Sequence, residues 1–514
     1  MAADLILYNA NVITMDPAKP KAELVAVTGD KILLVARKKE LKLARGVKTK
    51  VIDCQGKTVI PGFNDAHCHI FSFIRKLLSL DLSPSKISSI SEIKNAILSQ
   101  ARSTPQGRWL TGTGYNEFYL AERRHPNRWD IDEVAPQHPV VLVHYSLHAC
   151  VLNSLALKLA GITHNTKEPP GKLFDRDPVS GELTGLVFEM LGYIRERVLP
   201  PLSGEELDRG IKLANENYLS CGITSLQDLS SSNDNTRWQT FLELKEANKL
   251  NSRLYMFFGT EAQQQFQEAG LYTGSGDENL RLGGLKIMLN ETTGKLEPQQ
   301  PELNQLLLNA DRAGYQVAMH AIQESLVEAS ITALENLKSH FTQENRRHRI
   351  AHCSECPPRL LQRLSALKAV IVTQPPFIYY SGDRYLALIP SDQLKLLYRI
   401  GSFLKNGLAV AASSDSPVVP NNPLIGIYAA VTRKTESGQK LPPEEGIKPQ
   451  EALALYTKNA AYASFEEDLK GSISPGKLAD MVVLGDDPLK PPPDRIKEIK
   501  VQMTIIGGKV VWEV

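Results

Sequence analysis

The pair His67 and His69, in the run PGFNDAHCHI, is the first offer of chemistry along the chain. Residues i and i+2 of an extended strand face the same side, so the two imidazoles can grip one divalent ion. Four more residues suited to metal binding or proton transfer follow: Lys286, His320, His352 and Asp415. The steps between them are 34, 32 and 63 residues. These correspond to one, one and about two β/α units, a period that carries each residue round a barrel at similar height. Each has a plainer reading when taken singly. A lone His at a strand end serves as hydrogen-bonded scaffold, Asp415 in SSDSP caps a turn or helix, and Lys286 snorkels to solvent. Taken jointly, four histidines, one Asp and one Lys at matching strand ends point to a metal centre. Lys286 then needs its own account, because an ammonium has no lone pair and repels a divalent ion. Condensed with carbon dioxide as a carbamate, it becomes a two-oxygen anion able to bridge two ions about 3.5 to 4 Å apart.

The elements that must position these residues can be read from the pattern. The candidate strands are 222–229, 253–259, 284–290, 315–321, 348–354, 369–375 and 408–415, and the apolar approach Thr58, Val59 and Ile60 leading to His67 makes eight. Helix-like runs such as PELNQLLLNADRAG and SLVEASITALENLKSH separate them, with apolar residues recurring at three and four. Strands alternating with helices predict an α/β fold, a (β/α)8 TIM barrel with its site at the C-terminal strand ends. Residues 1–60 and 462–514 read as short β runs, with a Pro-rich connector at Lys490 to Asp494, and together predict a small β-sandwich built from both termini. The barrel then spans 61–461, with an inserted subdomain at about 75–215 that is too long for an ordinary connection. Within the insert, GTGY (112–115) reads as a flexible turn beside an aromatic, and HYSLHACVLNSLAL carries His144 and His148. Tyr115 and His148 are the expected substrate contacts, and a satisfied loop or strand histidine is the competing reading of His144 and His148.

Composition narrows the class of partner. A chain of 514 residues with 42% hydrophobic and 23% charged residues can bury a large core and is not expected to be disordered. The 59 basic and 57 acidic residues leave a net charge of +2 with no basic stripe, which argues against nucleic acid and for a small-molecule substrate. Self-association as a homo-oligomer is left open. Six scattered cysteines read as free thiols of a reducing compartment. The N-terminal stretch has no basic leader before an apolar core, and no apolar run approaches the roughly 18 residues that span a bilayer. A soluble, cytoplasmic protein without membrane contact is the expectation.

The residues also carry a family resemblance. The runs VIPGFNDAHCH, CGITSLQD, GGLKIML, VAMHAIQE, RIAHCS, AVIVTQP, AVAASSDSPVVPNNPLIGIYAAVTRK and GSISPGKLADMVVL make the chain resemble the amidohydrolase superfamily, and within it the YtcJ-like branch, amidohydrolase family 3. The resemblance implies His67 and His69 on one ion, Lys286 as the carboxylated bridge, His320 and His352 on the other ion, and Asp415 as ligand and proton acceptor. Zinc is the expected metal, two ions per chain, although imidazole and carboxylate also suit manganese or iron. Three local departures stand out. Leu289, Asn290 and Glu291 replace the usual Asp-Gly after the fourth-strand lysine, Gln323 and Glu324 replace Gly-Asp after the fifth-strand His, and Ser146-Leu147 replaces Asp-Gly before His148. These bear on the substrate more than on the metal.

The expected reaction is attack of a metal-bound hydroxide on an amide, N-acyl, N-formyl or cyclic amide, a C–N bond that is not a peptide bond, with Asp415 moving the proton. A mononuclear deaminase of the same superfamily and a non-catalytic barrel with an assembly role are the alternatives.

Overall fold

A computed structural model describes residues 2–340, 345–490 and 492–514; Pro491, inside the expected connector, lies outside them. Eight strands follow one another in chain order round a single sheet: Phe63–Cys68, Ile223–Asp228, Arg253–Gly259, Leu280–Met288, Gln316–Ala321, Arg349–His352, Val370–Thr373 and Ala409–Ala412. All seven ladders between them are parallel. Their residues are almost wholly buried, as strands covered on both faces must be, which is why they read as continuous apolar runs. Helices surround them. Gln300–Arg312 turns Leu303, Leu307, Leu308 and Ala310 inward, and Glu324–His340 does the same with Leu326, Val327, Ile331 and Leu334. The result is the expected (β/α)8 barrel, nearly closed. Between its first and eighth strands the ladder gives way to a single parallel bridge, Cys68 to Ser416. Two backbone hydrogen bonds flank that bridge, Asp415 N to His67 O and His69 N to Ser416 O, both 2.8 Å.

The approach to the first strand differs from expectation. Thr58–Pro61 is not barrel; it pairs antiparallel with Met481–Leu484 in the terminal sheet, and the barrel strand starts afresh at Phe63. Gly62 is the pivot between the two sheets. A Cβ there would lie 2.1 Å from the Thr224 hydroxyl, so a side chain has no room at the point where the backbone changes partners. The fourth strand starts at Leu280 and ends at Met288, earlier at both ends than the 284–290 expected. It also carries a bulge: Met256 pairs with Leu282 but Phe257 with Gly284, leaving Gly283 as an extra residue. A bulge reverses which side chains face inward beyond it, and this one directs Lys286 to the interior, where it is 1% exposed.

The chain ends meet in an eight-stranded sheet, in the order Lys509–Glu513, Val501–Ile506, Met481–Leu484, Thr58–Pro61, Leu5–Ile13, Lys21–Thr28 and Lys31–Ala36, with Lys50–Asp53 also on Leu5–Ile13. Leu7, Val12, Val25, Val59, Met481, Val483 and Ile505 share one apolar core, so the sheet folds over a single face of its own strands. A short helix, Leu41–Ala44, helps cover part of the other face with Ile6, Leu24 and Ala26.

The chain divides into two compact units. The first comprises Met1–His69, Asn215–Met288 and Gln300–Val514, and the second Ile70–Ala214 with Leu289–Gln299. The second unit has its own six-stranded sheet: Leu173–Arg176, Leu183–Phe188, Ala149–Leu152, Val140–His144, Leu110–Tyr115 and Leu80–Asp81. GTGY is thus the end of a strand and not a free turn. Asn290 and Glu297 form an antiparallel bridge within the short second segment. Among the described residues no helix is long and apolar enough to cross a membrane, and all six cysteines are free thiols.

Candidate metal centre

His67 is the last but one residue of the first barrel strand and His69 follows that strand directly. Asp415 lies beyond the eighth strand with φ +57°, held by its backbone bond to His67. Its Oδ1 is 3.4 Å from His67 Nε2 and 3.1 Å from His69 Nε2, and the three side chains offer ligand atoms all within 4.8 Å of one another. His352 packs beside His67, ring centroids 5.0 Å apart, and His320 beside His352 at 4.5 Å. The strand ends thus gather all four histidines and Asp415. Lys286 enters from the fourth strand, in register with Ala318 and, one strand further, with Arg349.

What makes this cluster a candidate metal centre is what it leaves unsatisfied. Both ring nitrogens of His67, Asp415 Oδ1 and Lys286 Nζ are buried without a hydrogen-bond partner among the described residues, the 3.1 Å approach to Asp415 being poorly aligned for one. Buried polar atoms are rarely left so. Imidazole and carboxylate lone pairs aimed at a common point are what a divalent cation satisfies, so the donor set fits.

The electrostatics agree. Burial holds the His67 imidazole well below its usual value, and the surrounding Lys286, His352, His69 and His320 push the same way, so the ring is neutral and its lone pair usable. Burial alone would raise the Asp415 carboxyl, but His69, His352 and Lys286 outweigh it and leave the group below the usual range. Burial brings the Lys286 ammonium down to about 8, Asp415 opposing and Arg349 assisting. Arg349 is itself fully buried, its guanidinium 4.9 Å from the Phe257 ring centroid and hydrogen-bonded to Gln227 Oε1 at 2.6 Å and to the Ala463 carbonyl.

The supporting contacts were not foreseen from the sequence. His69 Nδ1 lies 3.0 Å from the Ser230 hydroxyl. His352 Nδ1 lies 2.9 Å from Gln374 Oε1, and Gln374 Nε2 donates to Ser413 Oγ at 3.0 Å. Asp65, raised to about 6 by burial against its hydrogen bonds, accepts from the Ser414 amide at 2.9 Å and from the Ser414 hydroxyl, tying the first strand to the loop after the eighth. The only available signal was position: apart from Asp65, which lies within the first strand, each is a polar residue just beyond a barrel strand's C-terminal end, in runs such as VTQP and AASSD.

The two expected substrate contacts lie in the second unit. His148 is one-third exposed, and its Nδ1 is engaged by both Glu189 oxygens, at 2.9 and 3.2 Å. Tyr115 departs from expectation: it is wholly buried in the unit's own apolar core, and its hydroxyl meets His125 Nδ1 at 3.0 Å. A side chain so enclosed supports its neighbours and offers no surface to a substrate. His144 is likewise satisfied, with Glu117 at 2.7 Å and Ser146 at 2.8 Å.

A parallel barrel whose strand ends bring together four histidines and Asp415, with His67 and Asp415 Oδ1 buried and unsatisfied, fits a metal-dependent hydrolase scaffold. The Amidohydrolase family profile matches residues 50–512, and the chain belongs to that family. It is similar to the N-substituted formamide deformylase of Arthrobacter pascens, 28% identical over 538 aligned positions that cover 99% of this chain and 98% of that one. The putative amidohydrolase YtcJ of Bacillus subtilis is also 28% identical, with 91% of each chain covered. Among solved structures, an uncharacterized metal-dependent hydrolase from Pyrococcus furiosus superposes with a TM-score of 0.73 at 26% identity, covering 95% of this chain and all of that one. The family implies a divalent metal.

Proposed function

We propose that the barrel is a dinuclear hydrolase that cleaves a non-peptide C–N bond of a small amide, with N-substituted formamides as the first class to test. The observation that carries this reading is the buried, partnerless Lys286 Nζ beside the equally unsatisfied His67 and Asp415. A mononuclear site has no use for an inward lysine. A buried amine brought down to about 8 is about one-tenth neutral near pH 7, far more than an ordinary lysine, and the neutral amine is the form that adds to carbon dioxide. His67 and His69, together with Asp415, would hold one ion, His320 and His352 the other, and Lys286, as its carbamate, would serve both. Two divalent ions, zinc being the first choice, would supply polarisation of the scissile carbonyl and bring the pKa of a water down toward about 7. Asp415 Oδ1 takes the proton of the attacking water and returns it to the leaving nitrogen, acting as general base and then general acid. The name of the Arthrobacter relative supports the choice of formamides, while the changes at 289–291 and 323–324 leave room for another small amide.

The test is reconstitution with zinc or manganese in bicarbonate, counting metal and assaying formate release from N-substituted formamides beside N-acyl and cyclic amides. Two ions per chain with hydrolysis of one class supports the reading. One ion with an unmodified lysine points to the deaminase alternative, and no ion in folded protein to a non-catalytic barrel.

A further inference from the structure

The dinuclear reading requires His352 to present an unprotonated nitrogen to an ion, and a neutral imidazole can carry its proton on either nitrogen. The contacts behind His352 decide which. Ser413 follows the eighth barrel strand, and its hydroxyl lies 3.1 Å from the Thr373 carbonyl. A carbonyl oxygen only accepts, so the single hydroxyl proton is committed there. Toward Gln374, Ser413 Oγ can therefore only accept, and the group facing it at 3.0 Å must be the amide NH2. The other end of that amide, Oε1, then faces His352 Nδ1 at 2.9 Å. An amide oxygen cannot donate, so the proton between them belongs to His352 Nδ1. All four residues of this chain of bonds are at most 2% exposed, so water does not compete for it. Ser230, behind His69 Nδ1 at 3.0 Å, gives no such instruction, because its hydroxyl can serve as donor or acceptor.

We infer that Gln374, oriented by Ser413, is a positioning residue that fixes the Nδ1–H tautomer of His352 and so aims the Nε2 lone pair at the second ion. The inference rests on the dinuclear reading for its consequence, but not for the tautomer itself. Partners behind a ligating histidine commonly change metal affinity 10- to 100-fold when removed, which sets the scale expected.

The experiment uses the full chain in two forms. In metal-free protein labelled with 15N in its histidine rings, the His352 signals, assigned by loss in a His352→Gln variant, should show protonation at Nδ1 and an unprotonated Nε2. A proton on Nε2 overturns the inference. In bicarbonate with added zinc, competition against a chromophoric chelator should show Gln374→Leu weakening the second ion about 10- to 100-fold while the first is held as before. Gln374→Glu keeps an acceptor toward Nδ1 and should retain the second ion, so rescue separates tautomer control from loss of packing. Ser413→Ala frees the amide to flip and should give a mixed tautomer with an intermediate loss. Wild-type affinity for the second ion in Gln374→Leu refutes the inference. Should the wild-type chain bind one ion only, the dinuclear reading fails, and the ring spectrum of the metal-free protein still decides the tautomer.

Discussion

Replacing Lys286 with Met should make the metal-free protein more stable while destroying its function. The amine is fully buried without a hydrogen-bond partner, and its value is brought from 10.5 to about 8. At about 1.36 kcal/mol per pH unit, that difference is a penalty of about 3 kcal/mol for carrying the proton into the barrel. The sign follows from proton counting. Between pH 8 and 10.5 the unfolded chain holds this proton and the folded chain has released it, so the folded state gains stability as pH rises through that window. Below pH 8 both states are protonated and the whole penalty stands. Above about 10.5 it has vanished. Met is close in length and carries no charge, so Lys286→Met should exceed wild type by about 3 kcal/mol at pH 7 and converge with it by about pH 10.5. Urea unfolding of both proteins at a series of pH values, in carbon-dioxide-free buffer with chelator, measures this directly. Other titrating groups are common to both and cancel in the difference. A variant less stable than wild type at pH 7, or a difference that does not shrink with pH, would refute the placement of an uncompensated amine at the metal centre. The same variant, given zinc and bicarbonate, should lose the second ion and the hydrolytic activity.

Asp415→Asn preserves the shape and one ligand oxygen but cannot take up a proton, so kcat should fall about 10²- to 10⁴-fold with metal content unchanged; full activity at normal metal content rules the proton role out. Gly284→Ala places a Cβ 2.0 Å from the Gln316 carbonyl oxygen, between the strands that carry Lys286 and His320, and should cost at least about 1–3 kcal/mol in urea unfolding; unchanged stability would show that the fourth strand does not bulge as described. Ser414→Ala removes the hydroxyl that satisfies buried Asp65 and should cost about 1–3 kcal/mol, measured the same way, with no loss meaning that Asp65 finds another partner.

The clustering of the site's side chains was largely legible because residues suited to metal chemistry are uncommon inside strands. His320, His352 and Lys286 interrupt apolar strands, where a polar residue needs a reason. His67 and His69 were legible as a pair, but the strand leading to them was misplaced. The apolar run Thr58 to Ile60 does continue toward His67, yet Pro61 and Gly62 pass the chain from one sheet to another, and hydrophobicity does not say which sheet a buried strand joins. The bulge at Gly283 was invisible for a similar reason: a glycine pair in a strand signals a close approach without saying that the inward face is exchanged. Tyr115 was misjudged because a glycine-flanked aromatic reads alike in a loop and at a strand end. Gln374 and Ser413 left no signal but their position, since a single polar residue at a strand end is ordinary, and their task appears only when the direction of each hydrogen bond is followed.

The gap between the first and eighth staves of the barrel would give a bound metal a mechanical part to play. Seven joints of the hoop are laced by backbone ladders, while the eighth is clasped by one bridge and the segments that bear His67, His69 and Asp415. An ion gripped by those three side chains would rivet the hoop at its weakest joint, so that loading the site and tightening the barrel would be one event.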